Sequence, residues 1–411
     1  MIAEILNTGT ELLLGNVVNT HLAFLGTQLF EMGFRVNRQV ALPDGDAIRG
    51  GLEESFARKP DIVVVTGGLG PTTDDITREL LADMLAARLV LNEEILKKIE
   101  DRVTQHGFKL VERMKRQAYV PEGVQAIVND WGTAPGLYLP GSSQHPHAFF
   151  LPGPPRELRP MFLEKVVPIL RAAFPFAGET VCKVFRISGI GESMVEERVG
   201  EQLLKIPGLE LGYCAHYGAV DVRIVGPAEA VERGTEIIED AFAESIYGTG
   251  NDVLEQVVAH LLAERQQTVA TAESCTGGFL ASRITNVPGA SDVFLDGHIT
   301  YSNGSKTRVL GVDVDLIRKE GAVSEPVAAA MARGARVTSG ADYGLSTTGI
   351  AGPGGGTVAK PVGTVFIGLA SAEGVTVTKH FFPTDREMFK ALATQAALDR
   401  LRRVLMRRVL M

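Results

Sequence analysis

Basic charge is in deficit: 41 Lys and Arg face 49 Asp and Glu, leaving a net charge of −8. Binding to nucleic acid or an anionic membrane requires a concentrated basic face, so this balance argues against both partners for the chain as a whole, a local patch excepted. Cysteine is scarce. Cys182, Cys214 and Cys275 are an odd number without metal-type spacing, which argues against a disulfide framework and fits a reducing cytoplasm. No uncharged apolar run is long enough to span a bilayer. The opening MIAEILNTGTELLLGN carries Glu4 and Glu11 in place of the basic n-region of a signal peptide. A cytoplasmic protein, with no nucleic-acid or membrane partner, is the expectation. At 411 residues, 45% hydrophobic and 22% charged, the chain exceeds what one core organises, and two or three globular domains follow.

Residues 1–170 alternate strand and helix signals. IAEILNTG and DIVVVTGGLG are β-branched runs ending in glycine, and Leu22, Leu25, Leu29 and Met32 repeat at helical spacing between them. This βαβ rhythm predicts a doubly wound α/β sheet with its ligands past the carboxyl ends of the strands. Residues 171–248 read as βαββα, a small α+β domain, with YGTGND (247–252) as a linker. Residues 249–411 return to an α/β pattern, so the fold class is multidomain α/β. The final RRVLMRRVLM sets Leu401, Val404, Leu405 and Val409 in a stripe with arginines on the other face, the pattern of a docking or dimerising helix with one solvated side.

Two glycine loops suit phosphates or oxyanions. TGGLGPTTDD brings Gly67, Gly68 and Gly70 between an apolar strand and a helix, where backbone N–H groups are free for an anion. Asp74 and Asp75 would repel a bare phosphate, so they read as helix caps or as ligands of a bridging divalent ion; a plain tight turn fits as well. TTGIAGPGGGTVAKPVGTVF is richer in glycine, and ordering it costs roughly 0.5–1 kcal/mol per glycine relative to alanine. A nest of N–H groups around an anion would repay that expense, whereas a flexible surface loop would need no repayment.

In TAESCTGGFLASRITNVPGAS, Ser274 and Cys275 precede Thr276, Gly277 and Gly278, with Tyr301, Asn303 and Lys306 close behind. A serine on a glycine turn with a phenol and an amine nearby can build an acyl-transfer site. Each residue also has a plainer reading. Ser274 fits a helix N-cap, Lys306 a solvated surface lysine, and Tyr301 a core aromatic. Cys275 is a rival nucleophile that lacks a His-Asp partner and reads better as a small buried residue. His298 is a second-choice base.

TAESCTGGFLASRITNVPGAS, TYSNGSK, GAVSEPVA, TGIAGPGGG and KPVGTVFIGLA, in this order, resemble the carboxyl-terminal domain of the CinA family. NTGTELLLGNVVNTH, TGGLGPTTDDITRE and LPGPPREL resemble its amino-terminal domain. The resemblance covers nearly the whole chain. It implies a molybdopterin-binding-like α/β domain over 1–170, a KH-like α+β module over 171–248, a nicotinamide mononucleotide deamidase over 249–411, and a homodimer. For the deamidase it implies Ser274 as nucleophile, Tyr301 and Lys306 as proton-transfer groups, and no cofactor. Thr276, Gly277, Gly278, Asn303, Thr348, Gly349, Gly352, Gly354 and Gly355 would contact the substrate, and Arg386 would pair with its phosphate.

For the amino-terminal domain the resemblance implies an ADP-ribose pyrophosphatase using Mg²⁺ or a similar divalent metal. Asp44, Asp74, Asp75 and Glu157 are the candidate ligands; Thr8, Glu11, Asn16 and Asn19 would contact the nucleoside, and Gly67, Gly68 and Gly70 the phosphates. Asp44 also fits an ordinary turn residue and Glu157 an ordinary first-turn helix residue. Two other classes stay open. One is a competence- or recombination-associated interaction protein without amino-terminal catalysis. The other is an RNA binder acting through the KH-like segment, against which SGIGES stands, because its glycines lack the Gly-x-x-Gly spacing of a backbone clamp.

Overall fold

Apolar runs that read as strands form the central sheets in a computed structural model of the chain, which describes residues 1–105, 107, 109–175 and 180–407. The chain divides into two units, Met1–Glu179 and Thr180–Met411.

In the first unit, β1 (Ile2–Thr8), β2 (Arg35–Leu42) and β3 (Ile62–Thr66) lie in a six-stranded sheet with β6 (Gln125–Ile127), β7 (Gly136–Leu139) and β8 (His147–Leu151). The short β4 (Leu89–Leu91) and β5 (Tyr119–Pro121) pair separately. The order is β2-β1-β3-β8-β7-β6. The first four strands are parallel, and β7 and β6 are antiparallel. The reason for this mixed edge is connection length: a parallel crossover needs roughly a dozen residues or more, and the links between β6, β7 and β8 are shorter. Both faces of the sheet are covered. In β3, Ile62 and Val64 pack on one side and Val63 and Val65 on the other, which is why Ile62 to Val65 run without a polar residue.

In the second unit, β9 (Thr180–Ser188), β10 (Glu210–His216), β11 (Ala219–Pro227) and β12 (Ile246–Thr249) form an antiparallel sheet in the order β10-β11-β9-β12. The expected linker YGTGND is corrected here. Its first residues belong to β12, which pairs with β9 and buries Tyr247, so the module is βαββαβ. A short segment carrying two glycines gives no alternating pattern by which to recognise it.

The third sheet contains β13 (Val269–Glu273), β14 (Phe294–Ile299), β15 (Tyr343–Gly349), β16 (Thr364–Ser371) and β17 (Gly374–Phe381), ordered β14-β13-β15-β16-β17. Only β14, β13 and β15 are mutually parallel. One face packs on helices Leu254–Glu264 and Arg386–Arg407, the other on helix Glu325–Ser339. That last helix lies so close that a Cβ at Gly344 would come within 2.0 Å of the Ala332 carbonyl.

The arginine face expected on the final helix needs a second correction. Leu401 and Leu405 join the core, but Arg402 is also fully buried. Its Nε donates to Asp399 (2.8 Å), and its Nη1 and Nη2 donate to the carbonyls of Ile246 (3.1 Å) and Glu244 (2.7 Å). The helix therefore docks within its own unit, with the guanidinium satisfying carbonyls beside β12. Val409 lies outside the described residues. Arg402→Ala is expected to destabilise this unit by about 3–5 kcal/mol, because it leaves Asp399 buried beside fewer partners. Urea unfolding followed by tryptic protection of residues 180–407 checks this, and a wild-type midpoint would contradict it.

Candidate active site

Strand β13 ends at Glu273, and the next residue is Ser274. Its backbone N–H donates to the Thr347 carbonyl (3.0 Å), extending the pairing with β15 by one step and fixing the position of the serine at the carboxyl ends of both strands. The chain then turns through Gly277 (φ 62°) and Gly278 (φ 96°) into helix Phe279–Thr285. Side chains rarely adopt that left-handed backbone, hence the paired glycines.

Ser274 does not cap this helix. The buried Glu273 does so, its carboxylate accepting from the N–H groups of Gly278 (2.9 Å), Leu280 (3.1 Å) and Ala281 (2.8 Å) and from the Thr276 hydroxyl (2.6 Å). The Ser274 hydroxyl instead accepts from Lys306 Nζ at 3.0 Å. Lys306 is 1% exposed, and its other acceptors are the carbonyls of Thr300 (2.8 Å) and Tyr301 (3.2 Å). No carboxylate forms an ion pair with it among the described residues. Burial lowers its pKa from the ordinary 10.5, favouring the free amine. An amine with two carbonyls to donate to and a lone pair left for the Ser274 hydroxyl is arranged as a general base.

The other expected residues are distributed unevenly. Tyr301 is exposed, and its hydroxyl accepts from Arg386 Nη2 (2.7 Å), while Arg386 Nη1 donates to the Gly352 carbonyl (2.9 Å). Arg386 thus ties the tyrosine to the glycine loop that includes Gly354 and Gly355. Asn303 is exposed in the first turn of helix Asn303–Leu310. The buried Thr276 bonds to Glu273 and Thr347, and Thr348 donates to the Ala322 carbonyl (2.8 Å), so both hydroxyls are committed to the scaffold. At Gly349 a Cβ would come within 2.8 Å of the Thr364 carbonyl, which makes that glycine a packing requirement. His298, on the edge strand, bonds to Thr338 (3.2 Å) and lies 3.4 Å from Asp296. Cys275 is buried, and desolvation pushes its thiol up to about 12.

The first unit holds a separate cavity of about 360 Å³ at its strand ends. Thr8, Glu11, Asp44, Asp74, Asp75 and Glu157 line it, together with the Gly67–Gly70 loop. That loop packs closely: a Cβ at Gly68 would overlap Thr77 Oγ1 at 2.0 Å. Asn16 and Asn19 lie outside the cavity lining. Asn16 is exposed, and Asn19 bonds to Asn7 (2.9 Å) and the His21 N–H (3.1 Å). The Thr8 hydroxyl donates to the Thr66 carbonyl (3.1 Å).

The acidic groups have local partners. Asp44 accepts from the Thr10 N–H (2.9 Å), Asp75 from the Thr72 N–H (3.0 Å), and Glu157 from Asn129 (2.8 Å). Asp74 is exposed, with its pKa lowered by a hydrogen bond from Thr72. Among the described residues no three His, Cys, Asp or Glu side chains converge as a metal cage. This donor set fits a hydrated Mg²⁺, which uses one or two carboxylates plus substrate phosphates, rather than an all-protein site.

Glu273 and Gln117, a further residue lining the amino-terminal cavity, escape sequence reasoning. A carboxylate just before Ser274 was the available signal for the first; nothing marks the second.

Three family models match the chain: the probable molybdopterin binding domain over residues 4–172, the damage-inducible protein CinA KH domain over 182–248, and the CinA C-terminal domain over 251–405. A CinA-like protein of Akkermansia muciniphila is 46% identical over 398 residues, covering 96% of this chain and 95% of the relative. A protein of Caldicellulosiruptor saccharolyticus named "putative competence-damage inducible protein" is 42% identical over 414 residues, covering 98% and 99%. The crystal structure of competence/damage inducible protein CihA from Agrobacterium tumefaciens is 36% identical, covers 36% of this chain and 91% of its own, and has a TM-score of 0.35. No helix among the described residues is long and apolar enough to cross a membrane.

Buried and protonated, the Cys275 thiol should resist iodoacetamide at neutral pH in the native protein, while the exposed Cys214 is alkylated. Peptide mass mapping reads both, and rapid native labelling of Cys275 would contradict the inert role.

Proposed function

This chain belongs to the CinA family, and we propose that its carboxyl-terminal domain hydrolyses the carboxamide of nicotinamide mononucleotide to nicotinic acid mononucleotide and ammonia. The single observation supporting this most strongly is the 3.0 Å bond between Ser274 Oγ and the buried amine of Lys306. A serine hydroxyl is a weak nucleophile until a base lies within hydrogen-bond reach.

In the reaction, neutral Lys306 takes the Ser274 proton as Oγ bonds to the amide carbon. The resulting ammonium then protonates the departing nitrogen, which leaves as ammonia, and an ester remains on Ser274. Water attacks that ester, giving its proton to Lys306, and the Ser274 oxygen leaves and is reprotonated, so that water adds and ammonia departs with atoms balanced. The N–H of Ser274 is occupied by Thr347 and that of Gly278 by the Glu273 carboxylate, which leaves the N–H groups of Thr276 and Gly277 in the turn between them. They are the donors nearest the developing oxyanion in sequence. Tyr301 and Arg386, bonded to one another at the mouth of the site, would hold the ribotide, with Arg386 offering its planar fork to the phosphate.

For the amino-terminal domain we propose cleavage of the diphosphate of ADP-ribose. Asp44 and Asp74 line the cavity beside the glycine loop and would hold a Mg²⁺ together with substrate phosphates. When bound, the metal would neutralise phosphoryl charge. The Gly67–Gly70 backbone would face the phosphates, and Glu11 would accept from the nucleoside. A homodimer in the cytoplasm completes this reading.

Ser274→Ala should lower ammonia release by about 10³-fold or more while leaving ADP-ribose cleavage at the wild-type rate. Equal loss of both, with the fold intact, would refute two independent sites. Deamidation should fall as pH drops through the Lys306 pKa, because protonation removes the base, with its inflection below 10.5. Lys306→Arg, which stays charged, should lower the rate by about 10²–10⁴-fold and abolish that inflection; an unchanged pH profile would show that another group is the base. EDTA should stop ADP-ribose cleavage by the full chain and spare ammonia release. Diphosphate cleavage persisting in metal-free protein would remove the role of the aspartates.

A further inference from the structure

Gln117 lies in the turn Arg116–Ala118 and is 1% exposed, yet it lines the amino-terminal cavity. Its Nε2 is directed at the Leu69 carbonyl (3.5 Å), the orientation in which the amide avoids setting two oxygens against each other. The other end of the amide, Oε1, is buried and has no donor among the described residues. A buried carbonyl oxygen left in this state is costly, so a ligand that supplies a donor gains by entering.

The rest of the lining leans the same way. Glu11, Asp44, Asp74, Asp75 and Glu157 are all acceptors when ionised, and among the described residues no lysine, arginine or histidine lines the cavity. A bare anion would find no positive charge there among the described residues, only backbone N–H groups and neutral side-chain donors such as the Thr133 hydroxyl. A group rich in hydroxyl donors would find acceptors on several sides.

We infer that this cavity receives the hydroxyl-bearing sugar of its ligand, a ribosyl group, and that Gln117 Oε1 is the acceptor that reads one of those hydroxyls. The inference deepens the ADP-ribose reading and rests on the same cavity, but it concerns the sugar rather than the diphosphate. Gln117 is here a specificity-determining residue and takes no part in bond cleavage.

Calorimetry on the full chain at fixed Mg²⁺ tests it, with ribose 5-phosphate, 2-deoxyribose 5-phosphate and inorganic phosphate as probes. Wild-type protein should bind ribose 5-phosphate more tightly than inorganic phosphate. Gln117→Met, similar in size but without the acceptor, should lose about tenfold of that preference and keep its affinity for inorganic phosphate. A purely structural role would weaken both probes together, and that result overturns the inference. Wild-type protein that binds the sugar phosphate no better than phosphate overturns it as well, even if Gln117→Met fails to fold. A deoxy probe bound about as tightly as Gln117→Met binds the ribo probe would assign the contact to the 2-hydroxyl. A clear sugar preference in protein that cleaves no ADP-ribose retires the diphosphatase reading and leaves the inference standing. ADP-ribose cleavage with no sugar preference does the reverse.

Discussion

A lysine amine buried against a serine hydroxyl is the constraint on which the carboxyl-terminal site depends. Removing the Lys306 head group from water makes its charged form expensive, and no carboxylate among the described residues pairs with it to offset that expense. It offers two carbonyls and one hydroxyl. The same burial that would be a liability in a purely structural lysine tunes this one toward a base. A surface lysine at the same distance would remain an ammonium near neutral pH and could only donate to the serine.

That arrangement requires Ser274 to be free of other duties, and the adjacent residue makes it so. A serine opening a helix ordinarily spends its hydroxyl on orphan N–H groups. Here Glu273 takes three of them and the Thr276 hydroxyl, while Thr347 fixes the serine's backbone through its carbonyl and braces Thr276 through its hydroxyl. The strand end, the helix start and the neighbouring strand are therefore joined by polar contacts that leave Ser274 Oγ with Lys306. Position and reactivity are assigned to consecutive residues.

Much of this was legible in the sequence, in uneven ways. Continuous apolar runs such as IVVV (62–65) and glycine-ended loops gave the α/β class because burial on both faces leaves no alternation to misread. The motifs around Ser274 singled out the serine and the lysine that the structure brings within 3.0 Å of one another. The choice between capping and nucleophilic serine was not legible, since it turns on whether Glu273 reaches the helix start, a three-dimensional matter. Thr276 and Thr348 looked like ligand contacts because hydroxyls beside glycine loops are ambiguous; their partners, Thr347 and Ala322, come from distant segments. The buried Arg402 looked solvated because a charged residue on a helical stripe normally is; Asp399 and the carbonyls of Glu244 and Ile246 account for its burial. Asn16 and Asn19 share a motif with cavity residues, but in this stretch the cavity lining ends at Glu11.

The central claim is that amide cleavage proceeds through an ester on Ser274. Acid-quenching the full-length protein during turnover of nicotinamide mononucleotide, then mapping peptides by mass, tests it most directly when hydroxylamine is present in a parallel sample. The expected result is a peptide containing Ser274 heavier by the substrate less ammonia, with hydroxylamine diverting product to the hydroxamate. Ammonia released with Ser274 unmodified and no hydroxamate formed, or an adduct carried by Cys275, would contradict it.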